Sequence, residues 1–121
     1  MTREEFETLV TETVDSLPEE FGKRLDNVEI VVEEWPTMEQ LQTVGAGPGS
    51  TLYGLYQGVP LTKRGNYNAA VPDQISIFAG PILMAAGPDP LRIKNQIRHT
   101  VLHEIGHYFG MNEDQIRRAQ H

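Results

Sequence analysis

The chain has 121 residues and a mass of 13.6 kDa, room for one domain with a working core and little beyond it. It contains no cysteine, which excludes disulfides, thiolate metal sites and a cysteine nucleophile. The formal charge of −7 is concentrated at one end, residues 1–40 holding twelve acids against three bases and residues 41–121 five against seven.

Taken in chain order, Thr2 followed by Glu5 reads as a capping box. Phe6, Leu9, Val10, Val14 and Leu17 then recur at helical spacing. Pro18 ends that helix or opens a short second turn through Phe21 and Leu25. Val28, Ile30 and Val32 alternate with Glu29, Val31 and Glu33, which predicts a strand over 28–33 with one largely charged face. Trp35-Pro36 breaks it, with Trp35 expected to be a core or edge anchor. Residues 45–50 (GAGPGS) read as a loop, 51–57 as a second strand, 58–73 as a long loop, and 74–79 as a third strand. Asp89 can then cap a long helix with Pro90 at its first position, running to about Phe109 and closed by Gly110. Asn112 with Gln115 reads as the cap of a last short helix.

Several function classes drop out. No Lys/Arg-rich run exists, Lys63-Arg64 and Arg117-Arg118 being only pairs, so no nucleic-acid partner is expected. The start MTREEFETLV lacks the basic-then-apolar layout of a secretory signal. The uncharged run from Gln40 to Thr62 is full of Gly, Pro, Gln and Thr, and the run from Gln74 to Pro88 is short and broken by Gly80 and Pro81. No membrane span is expected, and a cytoplasmic protein is the default reading. There is no P-loop, no dinucleotide fingerprint and no G-x-S-x-G.

The chemistry lies in the long helix, where His103-Glu104-Ile105-Gly106-His107 spells H-E-x-x-H. Residues four apart share a helical face about 6 Å apart along the axis, so both imidazoles can converge on one ion. A zinc ion, Zn2+, suits such ligands and keeps a position open for water in catalytic sites, with Glu104 next door as general base. At about 100° per residue, His99, His103, His107, Gln96, Thr100 and Gly106 fall on one arc, expected to line a cleft. Val101, Leu102, Ile105 and Phe109 fall on the other, which Lys94 and Arg98 share one or two turns earlier. His99 cannot join both motif histidines on one tetrahedral ion, because His99 and His107 stand about 12 Å apart along the axis. Tyr53, Tyr56, Tyr67 and Tyr108 are read as packing residues before oxyanion donors.

The longer string HEIGHYFGMNE, H-E-x-x-H-x-x-G-x-x-E, resembles the zincin metallopeptidases, and most closely the small single-domain bacterial mini-zincins. LYGLYQGVPLTKRG and PDQISIFAGPI extend the likeness over most of residues 50–121. The resemblance implies a third metal ligand three residues after Gly110, which is Glu113. Mini-zincins tend toward aspartate there, and glutamate is a methylene longer, so Asp114 stays open as the alternative. Eight residues follow Glu113, fewer than the lower subdomain of the larger relatives, so a second subunit in a homodimer, an unusual substrate or feeble hydrolysis are the readings left.

The expectation is one α+β domain over 1–121, a minimal zincin-like domain with a small mixed sheet packed on the N-terminal helix and the H-E-x-x-H helix. Its expected activity is zinc-dependent hydrolysis of a peptide or protein substrate, with metal on His103, His107 and Glu113 and Glu104 as base. The alternative is a non-catalytic metal-binding interaction module of the same fold.

Overall fold

The computed structural model describes residues 1–26, 28–43, 45, 52–58, 73–108, 110, 114 and 118, with Arg24 and His107 described by their backbone alone. Helix α1 (Arg3–Asp15) starts as its sequence dictates. Thr2 Oγ1 accepts from the Glu5 N–H at 3.1 Å and Glu5 Oε1 accepts from the Thr2 N–H at 3.0 Å, closing the capping box. Its inner face buries Phe6 and Val10. Pro18 opens α2 (Glu19–Gly22), which passes into a 3-10 turn at Lys23–Leu25 and buries Phe21.

Three strands follow: β1 (Val28–Glu33), β2 (Gly54–Gln57) and β3 (Asp73–Phe78), in the spatial order β1-β3-β2. β1 runs parallel to β3 and β2 antiparallel to it, so the sheet is mixed, as expected. Ile75 and Ile77 on β3 face the helices, in register with Ile30 and Val32 of β1 and with Tyr56 and Gly54 of β2. The opposite face carries Leu55, Ser76 and Phe78, all buried.

Two helices are absent from the sequence reading. Helix α3 (Met38–Thr43) is capped by Thr37, whose Oγ1 accepts from the Gln40 N–H at 3.1 Å while Gln40 Oε1 accepts from the Thr37 N–H at 2.8 Å. That is a second capping box, with glutamine in the acid's place. Helix α4 (Ala79–Ala86) takes up Ala79, expected in the third strand, and tolerates Pro81 in its first turn, where a missing N–H is no loss. The Gly80 N–H in that turn donates to the Glu34 C=O at 2.8 Å. Trp35 is not a core residue: it is 55% exposed and lies over Gly80, where a Cβ would fall 2.5 Å from the ring. β2 starts at Gly54, after a bend at Tyr53; Thr51, where the strand is expected to begin, lies outside the described residues. The loop positions 46–50 and 59–72, with Tyr67, lie outside the described residues.

Helix α5 (Pro90–Tyr108) is capped by Asp89, whose Oδ1 accepts from the Leu91 N–H at 3.0 Å, and Gly110 beyond its end has φ 70°, the left-handed conformation that glycine adopts without strain. Ile93, Ile97, Val101, Leu102 and Ile105 are fully or almost fully buried against β3, α1 and α4. Lys94 and Arg98 share this side because their charged ends reach α1: Lys94 Nζ lies 3.4 Å from Glu12, and the Arg98 guanidinium donates to the Ser16 C=O at 3.4 Å. A cation at a helix C-terminus complements its exposed carbonyls. No described helix is long and apolar enough to cross a membrane.

The direction of the edge groups follows from one hydrogen bond. The Phe78 N–H donates to the Tyr53 C=O at 2.9 Å, so Leu55–Ser76 and Gln57–Gln74 are the next bonded pairs along β2 and β3. Gly54 and Tyr56 therefore turn their N–H and C=O to the outer side of β2. The same alternation turns Ile75 and Ile77 toward β1, where Glu29, Val31 and Glu33 answer them. Val28, Ile30 and Val32 then carry their backbone groups outward, and the Arg3 guanidinium indeed donates to the Val32 C=O.

Candidate metal centre and active site

The last two turns of α5 bring the motif to the outer edge of β2. Val101, Leu102 and Ile105 are sealed in the core, which fixes the rotation of the helix and leaves His103 and Glu104 partly exposed. The contact is close because Gly54 has no side chain: a Cβ there would lie 2.5 Å from Thr100 Cγ2 and 3.0 Å from the Ser76 carbonyl oxygen. Thr100 and Gly106, expected on the cleft-lining arc, are buried instead, Thr100 in this contact. Thr100 Oγ1 donates back to the Gln96 C=O at 2.7 Å, which satisfies the hydroxyl inside the contact. The histidine arc is therefore split, its β2 side packed and its other side open.

Glu104 reaches across this boundary. Its Oε1 accepts from the Tyr56 N–H at 3.0 Å, the outward-turned amide of β2. The Tyr56 hydroxyl donates to Asp73 Oδ2 at 2.8 Å, and its ring stacks on Tyr108, with centroids 3.9 Å apart and planes 17° from parallel. Tyr108 lies one turn beyond Glu104 on α5 and is 51% exposed. Gly58 admits its hydroxyl, which a Cβ would meet at 3.0 Å. Tyr56 and Tyr108 thus pack, as the sequence suggests, and they pack beside the motif. The Glu104–Tyr56 bond escapes sequence reasoning because it joins residues 48 apart.

His99 lies against His103, ring centroids 4.2 Å apart at 43°, and is exposed. The helix runs unbroken through His103 and His107, so their Cα atoms stand one turn apart on one face. The side chain of His107, all of Glu113, and the Asn112 and Gln115 of the expected cap lie outside the described residues. Asp114 is described: it is helical and exposed, and its C=O accepts from the Arg118 guanidinium at 3.3 Å. Among the described residues no three His, Asp or Glu side chains form a metal-binding group, a count that reaches neither the His107 ring nor Glu113.

The described part of the motif is compatible with a zinc ion. Two imidazole-bearing positions sit one helical turn apart, His103 is not sealed in packing, and the adjacent carboxylate is held by a neutral backbone donor.

Comparison with solved structures finds a conserved hypothetical protein from Thermus thermophilus that shares the fold with a TM-score of 0.59 and 24% identity, covering 97% of this chain and 99% of that one. Comparison with curated proteins finds no match. The sequence matches the zincin-like metallopeptidase family over residues 25–121, a span that holds all three strands and the H-E-x-x-H helix. The chain belongs to the zincin-like metallopeptidase family.

Proposed function

We propose that this protein is a zinc-dependent peptidase in which His103, His107 and Glu113 hold the metal and Glu104 is the general base. The observation that carries the reading is the placement of Glu104, partly exposed beside His103 and held at one oxygen by the edge of β2. When bound, the zinc ion would supply a water of lowered pKa and a Lewis acid for the scissile carbonyl. Glu104 takes a proton at its carboxylate and delivers it to the departing amine. The Tyr56 amide fixes the carboxylate's orientation, so the proton acceptor is placed before substrate arrives. Exposure of His103 and Tyr108 leaves room for an extended peptide on the open side of the helix.

One observation favours the non-catalytic module: the same Tyr56 bond already satisfies part of the carboxylate that a base needs. Incubating zinc-loaded protein with a mixed peptide library separates the two. Peptidase function gives cleavage that a chelator stops and added zinc restores. An uncut library with the metal fully loaded assigns the module.

A further inference from the structure

We propose that the outer edge of β1 is a docking strand for an extended segment of another protein in which apolar and basic residues alternate. This surface is separate from the metal motif. Val28 and Ile30 turn their N–H and C=O outward and have no partner for them among the described residues, while Arg3 closes the far end at Val32. Between this edge and α1 lies a groove of about 550 Å³, lined by Glu7, Val10 and Val14 of the helix and by Ile30 and Val32 of the strand. Along α1 the lining runs from Arg3 to Asp15, about 18 Å at the helical rise, the length of five or six extended residues.

The chemistry of the occupant follows from the two faces it would meet. On the helix side its residues contact Val10, Val14, Ile30 and Val32, which select apolar side chains. On the other side they lie beside Glu29, and beside Glu33, whose Oε2 also accepts from the Gln40 amide at 3.1 Å, with Glu7 and Asp15 at the rim, a set of carboxylates that selects lysine or arginine. A second copy of this chain does not suit the edge. Antiparallel pairing of β1 with itself about Val31 sets Glu29 opposite Glu33 twice, and pairing about Ile30 sets Glu29 diagonal to its own copy, so like charges repel in both registers.

The test uses full-length protein and an end-blocked six-residue peptide of alternating valine and lysine, with amide hydrogen exchange read by NMR. Saturating peptide is expected to slow exchange about tenfold or more at Val28 and Ile30, with affinity falling as salt rises. Glu29→Lys, an exposed position, is expected to weaken binding about tenfold at unchanged melting temperature. Unchanged exchange at these two amides, or equal binding of a valine–glutamate peptide, overturns the proposal. So does a dimer in sedimentation whose Val28 and Ile30 amides are already protected without peptide.

Discussion

Among the described residues, both outer strands of the sheet leave every second backbone group without a sheet partner, and the two edges differ in what meets those groups. At β2 the Tyr56 amide meets the Glu104 carboxylate, so the edge is absorbed into the candidate active site and covered by α5 and a stacked tyrosine pair. At β1 a cation, Arg3, engages the Val32 carbonyl and anchors to Glu7 and Glu34 at 3.1 and 3.3 Å, while Val28 and Ile30 meet no backbone partner among the described residues. An edge amide held by a side chain cannot template another strand, whereas an open edge stays available to one. The two proposals divide between the edges, chemistry at β2 and recognition at β1.

The largest effect belongs to the β2 edge. Replacing Glu104 with Gln should remove about 10²–10⁴ of any peptidase rate while zinc content stays that of the wild type, measured by steady-state kinetics and metal analysis. Equal rates would show that the Tyr56 bond holds a structural carboxylate and not a base. Next comes the packing that creates this edge. Gly54→Ala should destabilise the protein by about 1–3 kcal/mol in denaturant unfolding, because the new methyl meets Thr100 and the Ser76 carbonyl. Thr100→Ser removes the Cγ2 methyl and keeps the hydroxyl, so the double variant should recover part of that loss; strict additivity would deny the contact.

Smaller effects belong to the N-terminal side. Arg3→Ala should change stability by about 1 kcal/mol or less, since both ion pairs are half exposed, yet it bares the Val32 carbonyl. Tighter binding of the valine–lysine peptide by the variant, read from amide exchange at Val28 and Ile30, would sharpen the contrast; unchanged affinity would weaken it. The smallest effect is at the α1 cap. The Thr2 backbone N–H, then the Thr2 hydroxyl, hold the Glu5 carboxyl below its ordinary pKa. A lowered folded-state pKa means stability present above the unfolded pKa and lost as pH falls through the folded one. Thermal melts across the acid range should therefore show a slightly steeper loss for wild type than for Glu5→Gln, which cannot titrate.

The parts of this fold readable in the sequence are those written in local chemistry. Asp89, Pro90 and Gly110 bound α5, Thr2 and Glu5 start α1, and the Val/Glu alternation marks β1 over the same residues, 28–33. Helix α3 carried an equally local signal, Thr37 three residues before Gln40, but its six residues are too few for helical periodicity to show. Helix α4 hid because IFAGPILMAA, residues 77–86, is apolar throughout, and a short apolar run does not distinguish strand from helix. The site divides the same way. Convergence of His103 and Glu104 on one end of α5 follows from spacing alone, whereas the Tyr56 amide on Glu104, and the burial of Thr100 against Gly54, depend on where the helix lands on the sheet.

The central claim is that His103 and His107 hold a zinc ion beside Glu104. Elemental analysis of protein purified without chelator, run with His103→Ala and His107→Ala, tests it most directly. One zinc per wild-type chain and loss of stoichiometric zinc in each variant is the predicted result; a zinc-free wild type, or full zinc in both variants, contradicts it.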